Sequence, residues 1–152
     1  MKNLNFLLIA IMALLITACN KDEPKDESIV VSEGTYVGKL TVDQNDGTFY
    51  TQENVSVVFL PETKGKAEIK MLQVSFSAKM PLKLDMTIPN ITTSEISEGL
   101  SLSGDSIVPL AMGGEFPQYT ITKMTGKVQP QTLSIALKCG VFPLTFSGIK
   151  NN

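Results

Sequence analysis

The chain has no histidine, no arginine and no tryptophan, and only two cysteines in 152 residues. Without histidine there is no ordinary general base near neutral pH, no Ser-His or Cys-His nucleophile pair, and none of the commonest zinc ligand. Without arginine there is no planar fork for phosphates or base edges, and the 13 lysines are scattered through a chain of net charge −2. Nucleic acid is therefore not expected as a partner. No Gly-x-Ser-x-Gly elbow occurs, and the one Ser-x-x-Lys spacing, Ser147 to Lys150, falls at the C-terminus and not at a helix start. Helical periodicity is missing as well: beyond Glu33 no window of helical length repeats apolar residues at three- and four-residue steps.

What is present begins with Lys2 and an unbroken apolar run over residues 6–16, followed by Thr17, Ala18 and Cys19. The run has signal-peptide length and is shorter than the ~18 residues a bilayer span needs. Ile16-Thr17-Ala18-Cys19 resembles the lipobox of bacterial lipoproteins, which implies cleavage after residue 18 and lipidation of Cys19. Residues 19–32, charged and almost free of apolar side chains until Ile29, read as a solvated tether. Lys21-Asp22-Glu23 beside the acylated cysteine resembles an acidic export signal that sends lipoproteins to the outer face of a Gram-negative outer membrane. Partnership with a membrane through the N-terminal lipid follows from that reading. With Cys19 committed to lipid, only Cys139 remains, and a lone thiol forms no internal disulfide.

From residue 33 to residue 149 the pattern is period-two alternation between turn signals. Tyr36, Leu40 and Val42 share one face, and Asn45-Asp46-Gly47 then marks a hairpin. Val55, Val57 and Phe59 alternate, as do Ala67, Ile69 and Met71, after which the phase slips to Leu72, Val74 and Phe76 as at a β-bulge. Leu82, Leu84, Met86 and Ile88 form the next face, then Leu100 with Leu102, then Val108 with Leu110 and Met112. Tyr119 and Ile121 open a strand that changes phase to Met124 before Val128. Leu133, Ile135, Leu137 and Cys139 alternate cleanly, and so do Phe142, Leu144 and Phe146. Eight to ten short strands in one domain predict an all-β antiparallel barrel of about eight strands, or alternatively a β-sandwich.

The segments Gly34-Thr35-Tyr36-Val37-Gly38-Lys39-Leu40 and Leu144-Thr145-Phe146-Ser147-Gly148 resemble the opening and closing strands of the calycin-like, lipocalin-like β-barrel lipoproteins of Gram-negative bacteria. Met80-Pro81-Leu82, Ile88-Pro89-Asn90-Ile91, and Gly126 followed by Leu133-Ser134-Ile135 fit the same pattern. The resemblance implies a closed barrel whose first and last strands pair. It departs from true lipocalins where their Gly-x-Trp reads Gly34-Thr35-Tyr36 and where the arginine packed on that tryptophan has no counterpart. The family has no established activity to carry over.

The residues are expected to support no catalysis, cofactor or metal. Cys139 lies in the apolar phase of its strand and reads as a buried thiol. Glu62, Glu95, Glu98 and Glu115 sit near turns, where solvated charge is the ordinary role. Asp43-Gln44-Asn45-Asp46-Gly47 offers oxygens in a tight loop but lacks the closing bidentate glutamate of a calcium loop, so a hairpin turn is expected. Asp105-Ser106-Ile107 resembles an acceptor site for O-glycosylation at Ser106. What remains is a binding module. A small apolar or amphipathic ligand would lie among Tyr36, Phe59, Met71, Phe76, Met86, Met112, Leu137 and Phe146, with methionine supplying an adaptable lining. The alternative is an interaction protein that meets a protein or glycan through its outer face or loops.

Overall fold

In the computed structural model, which describes residues 29–152, the predicted alternation becomes ten strands. They are β1 (Gly34–Asp43), β2 (Phe49–Pro61), β3 (Lys66–Val74), β4 (Leu84–Ile96), β5 (Gly99–Gly104), β6 (Leu110–Ala111), β7 (Gly114–Glu115), β8 (Ile121–Val128), β9 (Thr132–Cys139) and β10 (Phe142–Lys150). The signal-peptide, Cys19 and export-signal readings lie outside the described residues.

Eight strands close into one antiparallel barrel in chain order, β1 to β5 and then β8 to β10, with β6 and β7 as an inserted hairpin. Closure comes from β1 pairing with β10, where Leu40 faces Phe146 and Val42 faces Leu144. The expected seam is present and the sandwich alternative is not. The short β6 lies against the first half of β4, leaving the second half of β4 to β5.

Four barrel strands carry a residue at positive φ on an exposed bulge: Asn54 in β2, Gln73 in β3, Asn90 in β4 and Lys123 in β8. After each, the next residue (Val55, Val74, Ile91, Met124) turns into the core. An alternating strand cannot move its apolar set across the sheet except by such an inserted residue, and each insertion increases the local coiling that a small barrel needs. The β8 phase change occurs where the sequence places it. In β3 it falls at Gln73, so Leu72 stays on the outer side of Met71. There the Asp85 carboxylate accepts the Gln73 backbone N–H at 2.8 Å and its side-chain amide at 2.9 Å, fixing the bulge one residue later.

The interior is a single apolar cluster running from Val31 to Phe146. Its largest members, among them Tyr36, Phe59, Phe76 and Phe146, are essentially inaccessible to solvent. At ~1.5–3 kcal/mol for each large side chain removed from water, this cluster is the main source of stability. Within the described residues the sheet closes on itself and the apolar cluster is continuous from strand to strand, so residues 29–152 carry a self-contained barrel and core.

Candidate functional site

The barrel has two unlike ends. At the entry end the chain arrives through Val31, and Tyr36 closes the floor, its buried hydroxyl donating to the Gln129 carbonyl at 3.1 Å. Burial raises the pKa of this phenol above its ordinary value. The buried phenol thus satisfies its polar atom on the β8–β9 turn.

The loop end is closed by an aromatic group drawn from two connections and the first residue of β10. Phe76, in the β3–β4 loop, has its ring 5.0 Å from Tyr119 and 6.2 Å from Phe142, and Phe116 packs on Tyr119 at 5.0 Å. Two glutamines hold this loop down. Gln44 donates to the Phe76 carbonyl at 2.9 Å, while Gln52 donates to the Gln73 carbonyl at 2.7 Å and accepts the Ser75 N–H at 3.0 Å. Phe76 is therefore a loop residue folded over the barrel mouth, and Tyr119 ends a single 3-10 turn over Pro117–Tyr119 in place of opening a strand.

Beside this cap lies a hollow of about 380 Å³, between the β1–β2 turn, the β3–β4 loop and Phe142. Phe49, Tyr50 and Phe142 give it an aromatic floor; Gln44, Asp46, Thr48, Ser77 and Lys79 give it a polar rim. Asp46 is held below the usual carboxylate range first by hydrogen bonds from Thr48 and, more weakly, by the charge of Lys79. A second, larger hollow of about 510 Å³ is a groove on the outer wall across β1, β10, β9 and β8.

Seven of the eight sequence-proposed ligand residues, Tyr36, Phe59, Met71, Phe76, Met86, Leu137 and Phe146, are brought together in the packed cluster. Met112 is not: it stands on the β6–β7 turn, 75 % exposed. There β6 presents Ala111 inward against Met86, with Leu110 and Met112 outward, because pairing with β4 sets its phase in place of side-chain hydrophobicity. Leu82 is likewise 65 % exposed, in the loop that follows Pro81, and does not share the face of Leu84.

Asp43 and Asp46 each spend an oxygen on the β1–β2 turn, accepting from Asn45 N–H at 2.8 Å and Thr48 N–H at 2.9 Å. Glu62, Glu95, Glu98 and Glu115 are all exposed, the first three toward the entry end and Glu115 on β7; Glu98 pairs with Lys127. Ser106 is an exposed turn residue at positive φ whose hydroxyl donates to Asp105, and Asp105 also accepts the Lys123 N–H of the β8 bulge. Cys139 is fully buried; its thiol donates to the Tyr119 carbonyl at 3.6 Å, and burial pushes its pKa up to about 12. That environment opposes the thiolate a nucleophile or metal ligand needs.

Phe49, Tyr50, Lys79, Lys123 and Lys138 line the two hollows and were not singled out by the sequence. Phe49 breaks the inward phase of Tyr50 and Gln52, a sign of an outward aromatic. Comparison with family models, curated proteins and solved structures finds no match to the chain.

Proposed function

We propose that the protein is a lipid-anchored, non-catalytic binding module of a Gram-negative outer membrane, calycin-like in fold and exposed at the cell exterior, whose working face is the loop end. The observation that carries this reading is the aromatic-floored hollow beside Phe142, set at the end of the barrel opposite the entering chain. A tether fixed by lipid at Cys19 and ending where Val31 enters the core, two residues short of the expected 19–32 span, would hold the entry end toward the membrane and turn the loop end away from it. The ligand that suits the hollow is small, amphipathic and uncharged. Apolar rings meet its carbon face, amide and hydroxyl groups meet its polar edge, and the charges of Asp46 and Lys79 oppose one another.

Engagement of a surface protein or glycan is the second reading. Its support is the exposure of Phe49 (66 %), Leu82 (65 %), Met112 (75 %) and Val141 (65 %) around the same end.

Titration of residues 29–152 with a neutral alkyl glycoside, followed by NMR, tests the first reading: saturable shifts of Phe49, Tyr50 and Phe142 support it. Without them the second reading stands, checked by a photo-crosslinker at Val141 on intact cells. For the anchor, Cys19→Ala is expected to abolish palmitate labelling; label retained in that variant would overturn it.

A further inference from the structure

The groove on the outer wall has a cause that can be read strand by strand. Across five neighbouring strands the outward residues in register are Thr125, Ala136, Thr145, Thr41 and Thr51. This band of short side chains sinks the surface. The next outward row toward the loop end is bulkier and forms one wall, with Lys138 opposite Pro143 and Asp43 opposite Phe49.

The β8 bulge adds the second feature. A regular strand would send one of two successive side chains inward, but here Thr122 and Lys123 both face out between buried Ile121 and Met124. Since Thr122 pairs with Lys138, the bulge brings Lys123 to the same groove as Lys138. Bulges re-aim side chains in this way beside binding sites. Among the described residues, the ion pairs are Lys39 with Glu53, Lys70 with Glu68, and Lys127 with Glu98, so neither groove lysine has a carboxylate partner. The single acid in the lining, Asp43, already accepts the Asn45 N–H.

We propose that this groove binds an anionic amphiphile, a free single-chain carboxylate. Its aliphatic part lies along the methyl groups of Thr41, Ala136 and Thr145 and against the exposed ring of Phe49, and its carboxylate is held between Lys123 and Lys138. The volume suits such a guest, since small-ligand sites span ~300–1,000 Å³. The surplus of lysine distinguishes the groove from the charge-balanced hollow at the loop end, and its place on the far half of the wall from the entering chain selects a free molecule over a bilayer surface. The proposal is independent of the preceding reading: of the residues the two use, they share Phe49, whose ring borders both hollows, and the lysines and the short-side-chain band belong to the groove.

Decanoate below its micelle concentration, titrated against residues 29–152 and followed by NMR, is the test. Saturable one-site shifts centred on Lys123, Ala136 and Thr145 are expected. Affinity should fall roughly tenfold or more in the double variant Lys123→Gln, Lys138→Gln, as when a charge-assisted bond is lost, and by a similar factor for decanol. Thr145→Phe, which fills the band, should abolish binding, whereas Ala78→Trp, which fills the loop-end hollow, should leave it unchanged. These are surface positions, and an unaltered melting temperature confirms folding. The proposal is overturned by absent saturable binding, by binding indifferent to both groove variants, or by recruitment to anionic vesicles without binding of free decanoate. Loss of binding in Ala78→Trp alone would assign decanoate to the loop end and overturn the groove while sustaining the loop-end reading.

Discussion

Gly38 of β1 stands directly opposite Gly148 of β10, at the seam that closes the barrel, and there is no room at either for a β-carbon. One placed on Gly38 would run into the Ser147 carbonyl oxygen and the Gly148 backbone, and one on Gly148 would meet the Phe146 ring at 2.6 Å. The first and last strands can therefore coil tightly enough to meet only because both positions lack a side chain.

Gly38→Val should accordingly be among the most damaging single changes in the chain. Backbone, unlike a flexible side-chain tip, cannot yield cheaply, so a loss of ~3 kcal/mol or more is expected, in the range reserved for overpacking with backbone displacement. Urea unfolding of residues 29–152 measures it. A variant within ~0.5 kcal/mol of the parent would mean that the seam is looser than its register implies.

How much of this was legible beforehand varies by element. Clean alternation from Leu133 to Cys139 and from Phe142 to Phe146 gave the right faces, because long strands are half buried and their polarity follows the pleat. The β8 phase change was visible as the step from Ile121 to Met124. Met112 was misplaced because β6 has two residues, too few for periodicity to outweigh the pairing with β4. Lys123 and Lys138 were invisible as a pair, since only the bulge and the β8–β9 register bring them together. The hollow beside Phe142 is built from the β1–β2 turn with the start of β2, the β3–β4 loop and the first residue of β10, segments distant in sequence, and no local pattern announces such a meeting.

The Asp85 carboxylate, which fixes the β3 bulge, should shape the acid limb of stability. Hydrogen bonds from the Gln73 backbone first, and from its side chain second, hold its pKa below the ordinary value. A depressed acid stabilises the fold above its unfolded pKa of ~3.9, and that contribution is lost as pH falls through the lower folded value. Asp85→Ala should cost about 1 kcal/mol at pH 7, the net worth of a hydrogen bond, and should flatten the dependence between about pH 5 and pH 2. Some slope will persist, because Asp46 and Glu98 are lowered too. An Asp85→Ala acid limb parallel to that of the parent would show that the bulge does not depend on the ionised carboxylate.

Cys139 should be inert in the native state. With burial lifting its pKa from 9.0 to about 12, the reactive thiolate is scarce at pH 8, and the side chain has no solvent access. Labelling by an aromatic disulfide reagent should proceed only as fast as the barrel opens, rising with urea in step with unfolding. Because the folded pKa is raised, the neutral thiol's contribution is present below the unfolded value and lost as pH rises toward about 12, so Cys139→Ala should soften the alkaline limb. Rapid stoichiometric labelling without denaturant would contradict the buried position.

The loop-end cap supplies the last test. Among the described residues Phe76 is the one ring paired with both Tyr119 and Phe142, and its loop is tied to the β1–β2 turn through Gln44 and to β2 through Gln52. Phe76→Ala should cost ~3–5 kcal/mol if the surroundings fail to collapse into the space. Gln52→Ala strips partners from the Ser75 N–H and the Gln73 carbonyl, at a cost of ~1–3 kcal/mol. The two losses should differ in kind as well as size. Phe76→Ala removes part of the common core and should lower protection from hydrogen exchange throughout the barrel. Gln52→Ala loosens a strap and should raise exchange chiefly at residues 73–83, leaving β9 and β10 protected. If Gln52→Ala instead lowers protection evenly across the sheet, the loop is not a separable cap but part of the global folding unit, and the loop end could not rearrange around a ligand without unfolding the barrel.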